Sequence, residues 1–102
     1  MAKASLSTHV LDTTTGRPAQ GVRVDLESDG SVVGSATTDA DGRIRELGQG
    51  LEPGRYRIVF KTREHMPDVF FTQVALDVLL PEGHTHIPLL LSRFGVTSYR
   101  GS

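Results

Sequence analysis

The chain has 102 residues, with 11 Lys and Arg against 12 Asp and Glu, four His and no Cys. That length makes a single domain over 1–102, large enough to bury roughly 65% of its unfolded surface without staples. The lack of cysteine excludes disulfides and thiolate metal sites, and a net charge of −1 without a basic run argues against nucleic acid as a partner. Met1-Ala2-Lys3-Ala4-Ser5 runs straight into patterned sequence, and no stretch of about 20 apolar residues occurs. The expectation is a soluble cytoplasmic protein with no membrane partner.

The dominant period along the chain is two, the signature of strands. Leu6, Thr8 and Val10 alternate with Ser7, His9 and Leu11, and a loop follows at Thr13–Pro18. Val22, Val24 and Leu26 alternate with Arg23, Asp25 and Glu27, which predicts one buried and one wet face. Ser28-Asp29-Gly30-Ser31 reads as a hairpin turn into a weaker strand over 32–37. Asp39-Ala40-Asp41-Gly42 is a second turn, opening a short strand from Arg43 to Leu47. Pro53-Gly54 precedes a strand in which Tyr56, Ile58 and Phe60 alternate with Arg55, Arg57, Val59 and Lys61.

Residues 63–68 lack alternation and suit a loop or one helical turn. Val69–Leu80 reads as a strand, broken by Pro81-Glu82-Gly83; Thr85–Leu91 and Val96–Tyr99 give the last two. About eight short strands without intervening helices predict an all-β antiparallel sandwich.

Five groups of residues stand out chemically. His9 lies mid-strand on the face of Ser7 and Leu11, where an imidazole serves either as a half-buried hydrogen-bonding group or as a general acid or base. His84 and His86 share one strand face, and with His9 they are the only combination suited to zinc. Zinc generally wants a third protein ligand beside such a pair and His9 is the only candidate for it, so no metal is expected. In that reading His84 is a surface neighbour and His86 a structural histidine. Calcium at Asp39–Gly42 is rejected, because Gly48 stands where the bidentate Glu belongs. The turn matters instead for delivering Arg43 to the start of a strand; Arg45, on the same face, reads as solvated. Finally, Leu89-Leu90-Leu91 breaks strict alternation, which suits a strand covered on both faces and so an oligomer interface. The polar end Tyr99-Arg100-Gly101-Ser102 follows closely and brings a hydroxyl and a carboxylate together on Ser102.

Ser7-Thr8-His9-Val10-Leu11-Asp12 with Gly16-Arg17-Pro18-Ala19, then Asp41-Gly42-Arg43, then His86–Ser92 and Tyr99-Arg100-Gly101-Ser102, resemble the motifs of the 5-hydroxyisourate hydrolases. These are the transthyretin-like enzymes of purine catabolism. The resemblance spans almost the whole chain in order, and its specific part is the terminal Tyr-Arg-Gly-Ser. It implies two four-stranded sheets with a short helix near the middle, and a homotetramer built as a dimer of dimers with active sites in a channel between dimers. It also implies hydrolysis of 5-hydroxyisourate, a small oxidised purine, to 2-oxo-4-hydroxy-4-carboxy-5-ureidoimidazoline in urate degradation, with no cofactor.

Carried onto this sequence, the catalytic residues are His9, Arg43 and His86, and the substrate-binding set adds Tyr99, Arg100, Gly101 and Ser102. The expected chemistry is water attack on a ring carbonyl, with one histidine as base (His9 favoured over His86), the other orienting water or substrate, and Arg43 on the developing oxyanion. The chain departs from the family pattern at Thr85, where an aromatic residue is usual, at Arg93, where Pro is common, and in a shorter segment over 62–73. The rival reading is a non-catalytic transthyretin-like carrier of a small aromatic ligand.

Overall fold

The computed structural model describes residues 2–101, and among these it contains nine strands in two facing sheets. They are β1 (Ala4–Asp12), β2 (Arg17–Pro18), β3 (Arg23–Ser28), β4 (Ser31–Thr37), β5 (Arg43–Leu51), β6 (Gly54–Lys61), β7 (Val74–Leu80), β8 (Gly83–Leu91) and β9 (Val96–Ser98). The first sheet runs β2-β1-β8-β9, with β5 also pairing β1; the second runs β4-β3-β6-β7. The expected sandwich is present, with five strands in the first sheet, rather than the four that the resemblance implied, and four in the second.

One pairing goes against the antiparallel expectation. β1 and β8 run parallel, with Ser5 opposite His84, Ser7 opposite His86 and His9 opposite Pro88. Alternation makes a strand but does not choose its neighbour or its direction. Here the long connection between the first and eighth strands allows a parallel pair at the centre of the sheet.

The alternation fills the space between the sheets. Leu6, Val10, Val24, Leu26, Ile58, Phe60, Leu89 and Leu91 are almost wholly buried there. Each such side chain contributes roughly 1.5–3 kcal/mol when removed from water. The 28–31 turn carries positive φ at both Asp29 (50°) and Gly30 (81°), the twist that a two-residue hairpin requires.

In the middle of the chain one expectation is refined and another fails. The loop or single helical turn read there is a 3-10 turn, Thr62–Glu64, in place of the short helix that the resemblance implied. Pro67 follows closely and disfavours helical backbone in the residue before it, so the turn does not propagate. Nor is Val69–Leu80 strand throughout, since β7 begins at Val74. Val69 is 5% exposed, and it joins the core from a loop rather than from a strand. That loop is tied to the 3-10 turn, because the Thr62 hydroxyl donates to the Phe71 carbonyl and the Arg63 amide donates to Thr72. With its hydrogen bonds satisfied in this way, the segment has no need of a strand neighbour. Among the described residues no helix is long and apolar enough to cross a membrane.

Candidate active site

The outward face of the first sheet collects the polar residues of three strands. Side chains alternate, so Ser5, Ser7 and His9 of β1 share this face with His84 and His86 of β8. On the other side of β1, His9 pairs with Arg43 of β5. His9, Arg43 and His86, three residues far apart in sequence, thus occupy adjacent strands.

Arg43 owes its position to the turn before it. The Asp39 carboxylate accepts the amides of Asp41 (2.9 Å) and Arg43 (3.0 Å), and these bonds, that from Arg43 foremost, hold its pKa below the usual carboxylate value. Gly42 closes the turn at φ 73°, where a Cβ would lie 2.4 Å from the Val10 carbonyl oxygen. Only glycine fits this approach of turn to strand. A bulge follows, because Thr8 pairs with Ile44 whereas Leu6 pairs with Gly48. Such irregularities re-aim side chains beside functional sites. Arg45 is exposed, as expected, and it also lines the same small cleft as Arg43, Ser7, His84 and His86.

The three histidines of the face are held differently. His9 Nε2 lies 2.9 Å from the Asp41 carbonyl oxygen. A carbonyl only accepts, so Nε2 carries the hydrogen, and in the neutral ring Nδ1 is the basic atom. His84 is exposed and His86 half-buried. Ser7, 8% exposed, lies between these two: its Oγ is 2.8 Å from His84 Nε2 and 2.8 Å from His86 Nδ1. Ser5 Oγ is 2.7 Å from His84 Nδ1. Burial lowers the His86 pKa from its ordinary value, and His9, Arg43 and His84 push it the same way. His86 therefore stays neutral under conditions in which an exposed imidazole is partly charged.

The C-terminal segment continues along β8. The Gly101 amide donates to the His86 carbonyl at 2.7 Å, which docks the tail beside the site. A Cβ on Gly101 would stand 3.0 Å from that oxygen and 3.1 Å from His86 Cδ2. Tyr99 and Arg100 do not join His86 in the cleft. They line a separate cavity of about 340 Å³ at the edge of the sandwich, with Leu76, Val78, Thr85 and Ile87. Ser102 lies outside the described residues.

Sequence reasoning missed Ser7 and the part played by His84. The spacing of Ser5, Ser7, His84 and His86 on two strand faces contained the signal, but only the parallel register joins them. The cleft over these groups measures about 190 Å³, below the ~300–1,000 Å³ of drug-sized sites, and suits a small molecule. A larger depression of about 590 Å³ lies at the other sheet, but it holds no histidine, and its Arg57 and Asp77 are paired with each other. Among the described residues no group of three or more His, Asp or Glu gathers closely enough to hold a metal ion.

What the arrangement offers is two imidazoles, each held by a hydrogen bond, beside a guanidinium on one sheet face. This suits addition of water to a polar planar substrate and stabilisation of the anion formed.

Known proteins share this framework. The 5-hydroxyisourate hydrolase of Salmonella typhimurium is 39% identical over 109 aligned residues, covering 95% of this chain and 80% of its own. The structure of Klebsiella pneumoniae 5-hydroxyisourate hydrolase superposes with a TM-score of 0.92 at 36% identity, covering 97% of this chain and 99% of that one. Sea bream transthyretin, solved in complex with thyroxine, reaches a TM-score of 0.85 at 28% identity, covering 94% and 93%. The model of the HIUase/Transthyretin family matches residues 6–101. On its sequence, its two sheets and the matches to both, the chain belongs to the HIUase/Transthyretin family.

Proposed function

We propose that this protein hydrolyses 5-hydroxyisourate to 2-oxo-4-hydroxy-4-carboxy-5-ureidoimidazoline in urate degradation. The observation that carries the reading is the convergence of His9, Arg43 and His86 on one sheet face, in a chain whose relatives include 5-hydroxyisourate hydrolases. A carrier needs an apolar pocket more than it needs titratable groups, and the cleft of Ser7, Arg43, Arg45, His84 and His86 is polar.

Water adds to a ring carbonyl, and an imidazole takes its proton. His86 fits the base better than His9, the choice favoured from sequence, because burial and its positive neighbours keep His86 neutral. His9, anchored on Asp41, orients the water or the substrate. Arg43 holds the carbonyl oxygen as it becomes negative, a contact whose loss typically costs about 100-fold or more. Collapse of the tetrahedral intermediate breaks the ring C–N bond, and the proton taken from water returns to the leaving nitrogen. The chemistry calls for no cofactor.

On the family resemblance Arg100 and Ser102 would add polar contacts to the substrate, although in one protomer Arg100 lines a separate cavity and it is Gly101 that bonds beside His86. The cleft is shallow in one protomer, and its outer face continues into half-buried Leu11 and Leu90. A homotetramer, assembled as a dimer of dimers in the cytoplasm, would cover that face and close the site.

The test is the ultraviolet decay of freshly generated 5-hydroxyisourate with the wild type and with His9→Ala, Arg43→Ala and His86→Ala. The wild type accelerates decay above the spontaneous rate and each variant loses most of the effect. Equal rates for all four proteins would overturn the assignment, and a wild type that binds the compound without accelerating its loss would favour the carrier.

A further inference from the structure

The hydrogen bonds around Ser7 form a chain with a direction. A serine hydroxyl has one hydrogen, yet Ser7 Oγ is within bonding distance of ring nitrogens on two histidines. With its hydrogen on one ring it accepts from the other; accepting from both would leave that hydrogen without either of its two ring partners. Two complete arrangements satisfy every group. In one, His86 Nδ1–H donates to Ser7, Ser7 O–H donates to His84 Nε2, and His84 Nδ1–H donates to Ser5. In the other, each bond is reversed. The first leaves His86 Nε2 as a bare lone pair, and the second leaves that nitrogen protonated.

We propose that Ser7 and His84 form a proton relay that sets the tautomer of His86 and connects it to solvent at Ser5. The inference rests on His86 acting as the base. In the first arrangement His86 accepts the proton of the attacking water at Nε2. Its Nδ1 proton then passes to Ser7 Oγ, the Ser7 proton to His84 Nε2, the His84 Nδ1 proton to Ser5 Oγ, and the Ser5 proton to water. One proton enters, one leaves, and the chain finishes in its second arrangement. The reverse passage resets it and returns a proton to His86 Nε2 for the leaving nitrogen.

Exposure fits an outlet at the His84 end, since Ser7 is buried and His86 half-buried whereas His84 is exposed. So does the charge around it. His9 and Arg43 on the flanking strands, and Arg45 in the cleft, disfavour a lasting imidazolium at His86, and an outlet removes that charge. Ser7 and His84 are thus positioning residues that act through His86.

The experiment compares wild type with Ser7→Ala, Ser7→Thr and His84→Gln in two measurements. In turnover, Ser7→Ala and His84→Gln lose about tenfold in kcat, and added imidazole buffer restores part of it in proportion to concentration. The wild type is insensitive to buffer, and Ser7→Thr retains most of its rate. In ¹⁵N NMR of the histidine rings, titration of His84 shifts the His86 nitrogens in wild type but not in Ser7→Ala. Wild-type kcat without buffer dependence in both variants, or His86 resonances indifferent to Ser7→Ala, would overturn the relay. A wild type without hydrolytic activity would instead overturn the function on which it rests, and the NMR measurement would still decide whether Ser7 couples the two rings.

Discussion

Replacing Gly101 by alanine probes how closely the tail supports the site. The added Cβ would lie 3.0 Å from the His86 carbonyl oxygen, 3.1 Å from its Cδ2 and 3.5 Å from its Cβ. Ordinary contacts begin near 3.4 Å, so either the tail withdraws or the imidazole turns, by a few tenths of an ångström. A misplacement of about 1 Å at reacting groups costs on the order of 100-fold, so this smaller shift predicts roughly a fivefold fall in kcat. Stability suffers little: at most the Gly101–His86 hydrogen bond weakens, worth about 1 kcal/mol. Gly95→Ala is the control, since its Cβ meets only Ser92 Oγ, at 3.3 Å. The assay is the ultraviolet decay of 5-hydroxyisourate under saturating substrate, with thermal unfolding followed in parallel. An unchanged kcat in Gly101→Ala, or an equal loss in Gly95→Ala, refutes the idea that the docked tail positions His86.

Arg43→Gln should lower kcat/KM by about 100-fold, since it removes the donor assigned to the oxyanion; a loss below threefold would remove Arg43 from that role. The acid limb of kcat/KM should lie below the ordinary imidazole pKa of about 6.5, because burial and positive neighbours lower His86 and a base works only while neutral. Arg43→Gln should move that limb upward, and a wild-type limb above 6.5 contradicts the assignment of His86. The same depression has a sign for stability: the unfolded chain protonates His86 first, so the folded state loses stability as pH falls from about 6.5 through the folded value. Asp39→Ala should reduce activity about tenfold by freeing the turn that aims Arg43, whereas Asp39→Asn retains an acceptor oxygen and most of the rate; equal behaviour of the two variants would separate the turn from catalysis.

Much of this architecture was legible in the sequence because it is local. Val22, Val24 and Leu26 bury their faces as the alternation predicts, and Asp29-Gly30 makes the two-residue turn that its composition favours. The delivery of Arg43 by Asp-Gly was likewise readable, since both the carboxylate cap and the tight glycine lie within four residues of it. What stayed hidden depends on partners far along the chain. Ser7 looks like an ordinary polar strand residue until the register sets it against His86. Arg45 enters the cleft beside a bulge, whose extra residues are a property of the β1–β5 pair rather than of either strand. Val69 has the composition of a strand residue yet is held in a loop by bonds to Thr62 and Arg63. The motif resemblance brought His9, Arg43 and His86 together in advance, but it did not reveal which hydrogen each ring carries. The carbonyl of Asp41 assigns the hydrogen of His9, and the single proton of Ser7 links the tautomers of His84 and His86 to each other.

The parallel pairing of β1 with β8 also governs when the protein can become itself. Thr8 and Ile87, joined by a hydroxyl–carbonyl bond of 2.5 Å, are separated by 79 positions, so the central seam of the first sheet closes only after nearly the whole chain has left the ribosome. Contacts of such long range make folding slow, and they leave the first strand with an unpaired edge in the meantime. A chain cut short before Gly83 would retain every strand of the second sheet and the pairing of β1 with β5, but would leave the β8 side of β1 open. A ribosome stalled there would hold a sticky intermediate, and the cell would meet it as a substrate for chaperones and proteases.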